Sequence, residues 1–249
     1  MIFDDRDRVR VRNTVLAVAS LAWLFLWMRS LWSPGLPHQH MHHPAAGAGA
    51  VSVAPAFDWI LMFAAMMAPT LIPPIQFVRS NGLARRRARS TWLFVTGYTA
   101  VWVLAGVCMM LVVAALGSSR LPQSLPVGAF FLVALIWQCS PAKQACLNRC
   151  HKHKPLAAFG RAADVDALVF GADKGVWCVA SCWAWMLLPM LLATGHLWAM
   201  MAVTIIIFCE RLESPAPARW QWRGLGRAYR IVSAWVRFRV RASAAEQNA

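Results

Sequence analysis

Trp92 to Leu116 read WLFVTGYTAVWVLAGVCMMLVVAAL, a run without a single charged side chain. A bilayer's hydrocarbon core is about 30 Å thick, and a helix needs about 20 apolar residues to cross it. This stretch is long and apolar enough to be a transmembrane helix. Working outward, similar runs predict an all-α polytopic membrane protein with six spans, at 14–32, 57–78, 92–116, about 127–142, 176–194 and 197–208. The fourth and sixth are short for a crossing, so counts of five or seven also fit. Only Gly195-His196 separates the last two, which requires a tight hairpin or a break there.

The composition agrees. The chain has 249 residues, 59% hydrophobic and only 14% charged, with a mean hydropathy of +0.49. A soluble domain carries about 25% charged residues, so this chain lacks the polar surface of a soluble globule. Seven Cys without regular spacing argue against a secreted disulfide scaffold. A net charge of +15 raises the question of nucleic acid, and the placement of the charges answers it. Basic residues collect before the first span (Arg6, Arg8, Arg10, Arg12), at Arg79 and Arg85 to Arg89, from Lys143 to Arg161, and after Arg211. The intervening segments hold only Arg29, which can snorkel from its span's end, and Arg120. The positive-inside rule then puts every cluster and both termini on the cytoplasmic side of the membrane. The first span follows a basic cluster, as in a signal peptide, but no small-residue cleavage site closely follows Met28, and it reads as a retained anchor.

Residues 1–212 thus form the helical bundle, and residues 213–249 form a cytoplasmic tail. From position 227 the tail's Arg residues (227, 230, 237 and 241) share one helical face, with Leu225, Val232, Trp235 and Val236 roughly opposite. Such a helix suits the anionic inner leaflet. Nothing resembles a nucleic-acid fold or an aromatic-interleaved basic groove, so no nucleic-acid partner is expected.

Candidate chemistry lies in sulfur. The stretch 137–153, WQCSPAKQACLNRCHKH, puts Cys146 and Cys150 four residues apart on one helical face, with Cys139 and His153 near the same stripe. The stretch 177–186, WCVASCWAWM, repeats the spacing at Cys178 and Cys182, with Met186 one turn on. The topology brings both pairs to the cytoplasmic side, where thiols stay reduced. Nearby Lys143, Arg149, Lys152 and Lys174 favour thiolates, which select Cu+, zinc or an iron–sulfur cluster. A lone Cys in a buried helix is ordinary packing; two i, i+4 pairs on one side point to metal. The three-residue gap differs from the two-residue redox spacing.

Asp58, Met62 and Met66 share a helical face, with Met67 beside them. Thioethers suit Cu+, although Met is equally a packing residue and that reading is the stronger one here. Pro69, Pro73 and Pro74 free backbone carbonyls within a span, which is tolerated where they line a cavity or meet another helix. On the outer side, His38, His40, His42 and His43 sit in one short run flanked by Pro and Gly. It is either a metal-capture loop or a flexible polar loop. No Ser-His-Asp set, phosphate loop or metalloprotease helix appears, and Glu210 with Arg211 is expected to mark the lipid interface. The ground for an enzyme is weak.

In these residues the chain resembles a bacterial family of predicted metal-binding integral membrane proteins, a domain of unknown function. The likeness runs from about Phe57 to Arg211. It rests on Trp59-x-x-Met62-x-x-Ala65-Met66-Met67-x-Pro69, Gly97-Tyr98 with Trp102, and Gln138-x-x-Pro141-x-Lys143-x-x-Cys146-Leu147-x-x-Cys150. It continues in Gly171-x-x-x-Gly175-x-x-Cys178-x-x-x-Cys182-Trp183-x-x-Met186 and ends at Glu210-Arg211. The resemblance implies a helical membrane fold and a metal, without an assigned reaction. Lys174 stands where that family favours His, and Ser181 where many members have a Cys adjacent to Cys182. The expected function is binding and transport or delivery of a soft metal, copper (Cu+) before zinc, through Cys146, Cys150, Cys178 and Cys182. Cys139, His153, Met62, Met66, Met67, Met186 and the His run are lesser candidates. Alternatives are a non-enzymatic assembly or structural subunit, packed in a homo-oligomer or against a membrane-protein partner, and a membrane oxidoreductase using thiols or haem.

Overall fold

A computed structural model describes residues 5–32, 54–118, 122, 124–192, 194–224, 226 and 229–237. Among these residues all regular structure is helical. In chain order the helices are α1 (Asp5–Trp32), α2 (Ala54–Met67), α3 (Ile72–Asn81), α4 (Arg87–Gly117), α5 (Ser124–Cys139), α6 (Pro141–His151), α7 (Gly160–Leu191) and α8 (His196–Arg211). Residues 229–237 are helical as well. By length and apolarity, residues 5–32, 57–81, 84–117 and 160–191 are each able to cross a bilayer, and α5 with α6 makes a fifth crossing only as a pair bent by 63°. The helix α8 has 16 residues.

The bend between α5 and α6 falls at Ser140-Pro141. Proline cannot donate to the preceding turn, so α5 ends there, and Ser140 caps α6 by accepting from the Lys143 N–H at 3.1 Å. A proline also breaks the second span. Pro69 supplies no N–H for the Ala65 carbonyl four residues back, and the Trp23 indole N–H of α1 donates to that oxygen at 3.1 Å. A turn of 3-10 helix over Ala68–Leu71 joins α2 to α3. Thr70 Oγ1 donates to the Met67 carbonyl at 2.7 Å.

The helix α7 is the axis of the bundle, with α4, α5, α6 and α8 packed along it. It begins at Gly160, well before the expected start at 176, because its acidic residues are paired outside it. Asp164 accepts from Arg86 and Arg89, each at 2.8 Å. Asp173 accepts from Lys154 at 3.2 Å and from the Trp177 indole at 3.3 Å. Glycine permits the tight α4–α7 crossing. A Cβ on Gly97 would stand 2.2 Å from the Leu168 carbonyl oxygen, and one on Gly171 would stand 2.1 Å from that of Phe94. Gly171 and Gly175 form the small-xxx-small pattern that lets membrane helices approach closely.

The basic segments meet at one end of the bundle. Asp7 of α1 pairs with Arg79 at 2.7 Å and Arg87 at 3.8 Å, beside the Asp164 cluster. At the other end Arg29 pairs with Asp58, so Arg29 has an acidic partner in α2. Trp27 meets Trp198 edge-on at 5.8 Å. Between α7 and α8 the expected tight turn is present. Gly195 has φ +74°, and His196 Nδ1 lies 2.6 Å from the Pro189 carbonyl. Large apolar side chains such as Leu21, Leu104, Leu111, Leu132 and Ile136 face outward.

Candidate metal centre

The end of α6 and the middle of α7 meet beside the last turn of α8. There Cys150, Cys178, His151 and His153 line a cavity of about 280 Å³, closed on one side by Pro69, Pro73 and Pro74. The prolines thus face a cavity, while the Ala65 carbonyl that Pro69 frees meets another helix through Trp23. Cys178 Sγ accepts two hydrogen bonds, from Tyr98 Oη at 3.1 Å and Arg211 Nη2 at 3.1 Å. Arg211 Nη2 also reaches Ser181 Oγ at 3.3 Å. The charge of Arg211 acts on both Cys150 and Cys178, and its Nε is buried with no hydrogen-bond partner among the described residues.

Lys174 also lines the cavity. Its ammonium donates to the Cys150 carbonyl at 2.7 Å and to the Lys152 carbonyl. A cation is thus fixed on the carbonyls at the C-terminus of α6, where the helix dipole is negative. The two histidines differ. Both ring nitrogens of His151 face carbonyls, those of Leu147 at 2.9 Å and Arg211 at 3.3 Å, so His151 ties α6 to the end of α8. His153 stacks by Phe77 with centroids 4.4 Å apart. Partial desolvation, then the charge of Lys174, lowers its pKa below the ordinary histidine value, leaving a neutral imidazole suited to a metal.

The structure joins one thiol from each i, i+4 pair and leaves the other outside the cavity lining. Cys146 is buried, and Cys182 Sγ donates to the Cys178 carbonyl at 3.0 Å. Cys139 is half-buried, and Met62, Met66, Met67 and Met186 are buried in the apolar core. None of these five lines the cavity. His38, His40, His42 and His43 lie outside the described residues.

Glu210 and Arg211 do not mark a lipid interface. Glu210 Oε1 accepts from Lys143 Nζ at 2.6 Å, with both side chains almost wholly buried. Gln138 is the hub of this network. Its Nε2 donates to Glu210 at 2.5 Å and to the Arg223 carbonyl at 2.8 Å. Its Oε1 accepts from Lys143 and from the Trp185 indole, each at 2.5 Å. Arg223 Nη1 returns from the tail to the Gln138 and Ser140 carbonyls at 3.2 and 2.8 Å.

The donor set limits the ion. Zinc takes four ligands, at least three of them from protein, and among the described residues no three His, Cys, Asp or Glu side chains are grouped to hold a metal. Two sulfurs with one imidazole nearby suit a soft ion of low coordination number. Sequence reading placed Lys174 near the thiols but missed Tyr98 and Arg211 as their partners; the traces were the Gly97-Tyr98 motif and a charged Glu210-Arg211 pair closing an apolar helix.

No curated protein and no solved structure matches the chain. A family model does, over residues 56–236, and its description is copper chaperone. The match takes in the cavity, the Lys143–Glu210 network and the described part of the tail. The chain belongs to the PpoB2 family of copper chaperones.

Proposed function

We propose that this chain is a multi-pass protein of the bacterial cytoplasmic membrane that takes up copper between Cys150 and Cys178 and delivers or transports it, with the site near the cytoplasmic side. The convergence of these two thiols, with His153, on one cavity in a copper-chaperone family carries this reading. The gathering of basic segments at one end of the bundle supports cytoplasmic termini. About 20 Å of helix lies between Cys178 and the end of α7 at Leu191, which favours the inner part of the membrane. Six crossings result if the bent α5–α6 pair and α8 count as one each. In this reading Met62, Met66, Met67 and Met186 are packing residues, and the outer His run captures metal.

The tail fits a leaflet surface. Trp220, Trp222, Tyr229 and Trp235 are exposed among Arg219, Arg230 and Arg237, the mixture that settles at anionic headgroups.

The test is elemental analysis of detergent-purified protein, kept reduced and free of a His tag, beside the Cys150→Ser/Cys178→Ser variant. Stoichiometric copper in the native chain and its loss in the variant are expected. Trace copper in both would overturn the site and favour the assembly-subunit reading, which a stoichiometric co-purifying partner would then support.

A further inference from the structure

Two basic side chains stand beside the two sulfurs. Arg211 and Lys174 line the cavity with Cys150 and Cys178, and among the described residues no carboxylate does. Neither cation is free to swing away. Lys174 is held by the carbonyls at the end of α6, and Arg211 by Cys178 and Ser181.

We infer that this arrangement makes the site selective for a singly charged ion: Cys150 and Cys178 hold Cu+ as a two-coordinate bis-thiolate anion, Arg211 and Lys174 are its counter-ions, and the same two charges exclude Zn2+. The inference rests on the copper-site reading above. On binding, the thiol protons leave to solvent and two copper–sulfur bonds form, with no change of oxidation state. Two thiolates with Cu+ carry one net negative charge, which a guanidinium and an ammonium stabilise. Two thiolates with Zn2+ carry none, so the guanidinium and the ammonium are left without a counter-charge and the site holds one positive charge more than it does with Cu+. In a partly buried site such a charge acts far more strongly than in water. Zinc would also lack the third and fourth ligands it needs, whereas Cu+ is satisfied by two sulfurs.

Arg211 and Lys174 are thus positioning and specificity residues that touch no metal, and their test is a ratio. Affinities of the full-length, detergent-purified chain for Cu+ and for Zn2+ are measured separately by chelator competition under reducing conditions. Arg211→Gln is expected to weaken Cu+ binding by about ten- to a hundredfold, the range of a lost charge-assisted contact, with Zn2+ binding unchanged or tighter. Arg211→Lys should restore most of the preference. X-ray absorption at the copper edge of the native chain should show two sulfur neighbours. Equal weakening of both ions in a folded Arg211→Gln variant overturns the inference, as does a copper site with three or more ligands. If Arg211→Gln does not yield folded protein, Lys174→Gln carries the same ratio test. Should the Cys150→Ser/Cys178→Ser variant keep its copper, the site reading itself fails. If that variant loses copper while the Cu+/Zn2+ ratio ignores Arg211 and Lys174, only the charge-selectivity inference fails.

Discussion

Glu210 and Arg211 are neighbours in sequence, yet they belong to opposite kinds of site. Glu210 enters a buried network with Lys143, Gln138 and Trp185, in which each polar group is paired with another. Arg211 enters a cavity of about 280 Å³ with two sulfurs, two imidazoles and the Tyr98 hydroxyl. Each region contains a guanidinium whose Nε has no partner among the described residues, on Arg223 and Arg211, so an orphan donor does not distinguish them. Free volume and ligand chemistry do. A closed charge pair holds helices in register, and an open one beside soft ligands is ready for an ion.

The comparison predicts that the two regions fail differently. The largest effect belongs to the sealed side. Lys143→Ala leaves the Glu210 carboxylate buried and unpaired, a loss of about 3–5 kcal/mol. Thermal unfolding in detergent should show it, while copper bound per folded chain stays near the native value. Next comes Gly171→Ala, whose methyl group would strike the Phe94 carbonyl of α4. Overpacking of this kind costs about 1–3 kcal/mol, and by parting α4 from α7 it should also draw Tyr98 away from Cys178 and weaken copper binding. Gly128→Ala meets no atom within 4 Å and should leave both readouts alone. If Gly171→Ala lowers stability without touching copper, the crossing does not position the site.

A smaller and cleaner effect is expected of Tyr98→Phe, which keeps the ring and removes one hydrogen bond to Cys178. Copper affinity should fall by about fivefold, the equivalent of ~1 kcal/mol, with the unfolding temperature nearly unchanged. The smallest effect on copper is expected from Cys146→Ser. Its thiol is buried but does not line the cavity, so metal content should equal that of the native chain. Loss of copper there would restore the four-thiol site that the paired spacings suggested.

The helical fold could be read from apolar runs because each run carries its own evidence. The meeting of Cys150 and Cys178 was also legible, since alternating topology puts the end of the fourth span and the start of the fifth on one side. Long-range compensation could not be read. That the helix of the fifth span begins as early as Gly160 could not be read, because Asp164 and Asp173 depress local hydropathy and Asp164 pairs with Arg86, 78 residues away, and with Arg89. For the same reason Glu210 and Arg211 looked like an interfacial pair, since their partners Lys143 and Cys178 sit 67 and 33 residues earlier. The Gly171-x-x-x-Gly175 spacing was in plain view, but a small-residue pattern does not say which helix it meets.

Arg223, which reaches back 85 residues to the carbonyls at the α5–α6 bend, has a consequence for the order of assembly. Synthesis runs from the N-terminus, so the bend emerges long before its donor. Until the tail is made, the Gln138 and Ser140 carbonyls lack the Arg223 guanidinium from which both accept in the finished fold. Arg211 arrives late as well, after both sulfurs. A nascent chain halted after α7 therefore holds the thiols without the guanidinium beside them, and the cavity gains Arg211 in its wall only once α8 has been made.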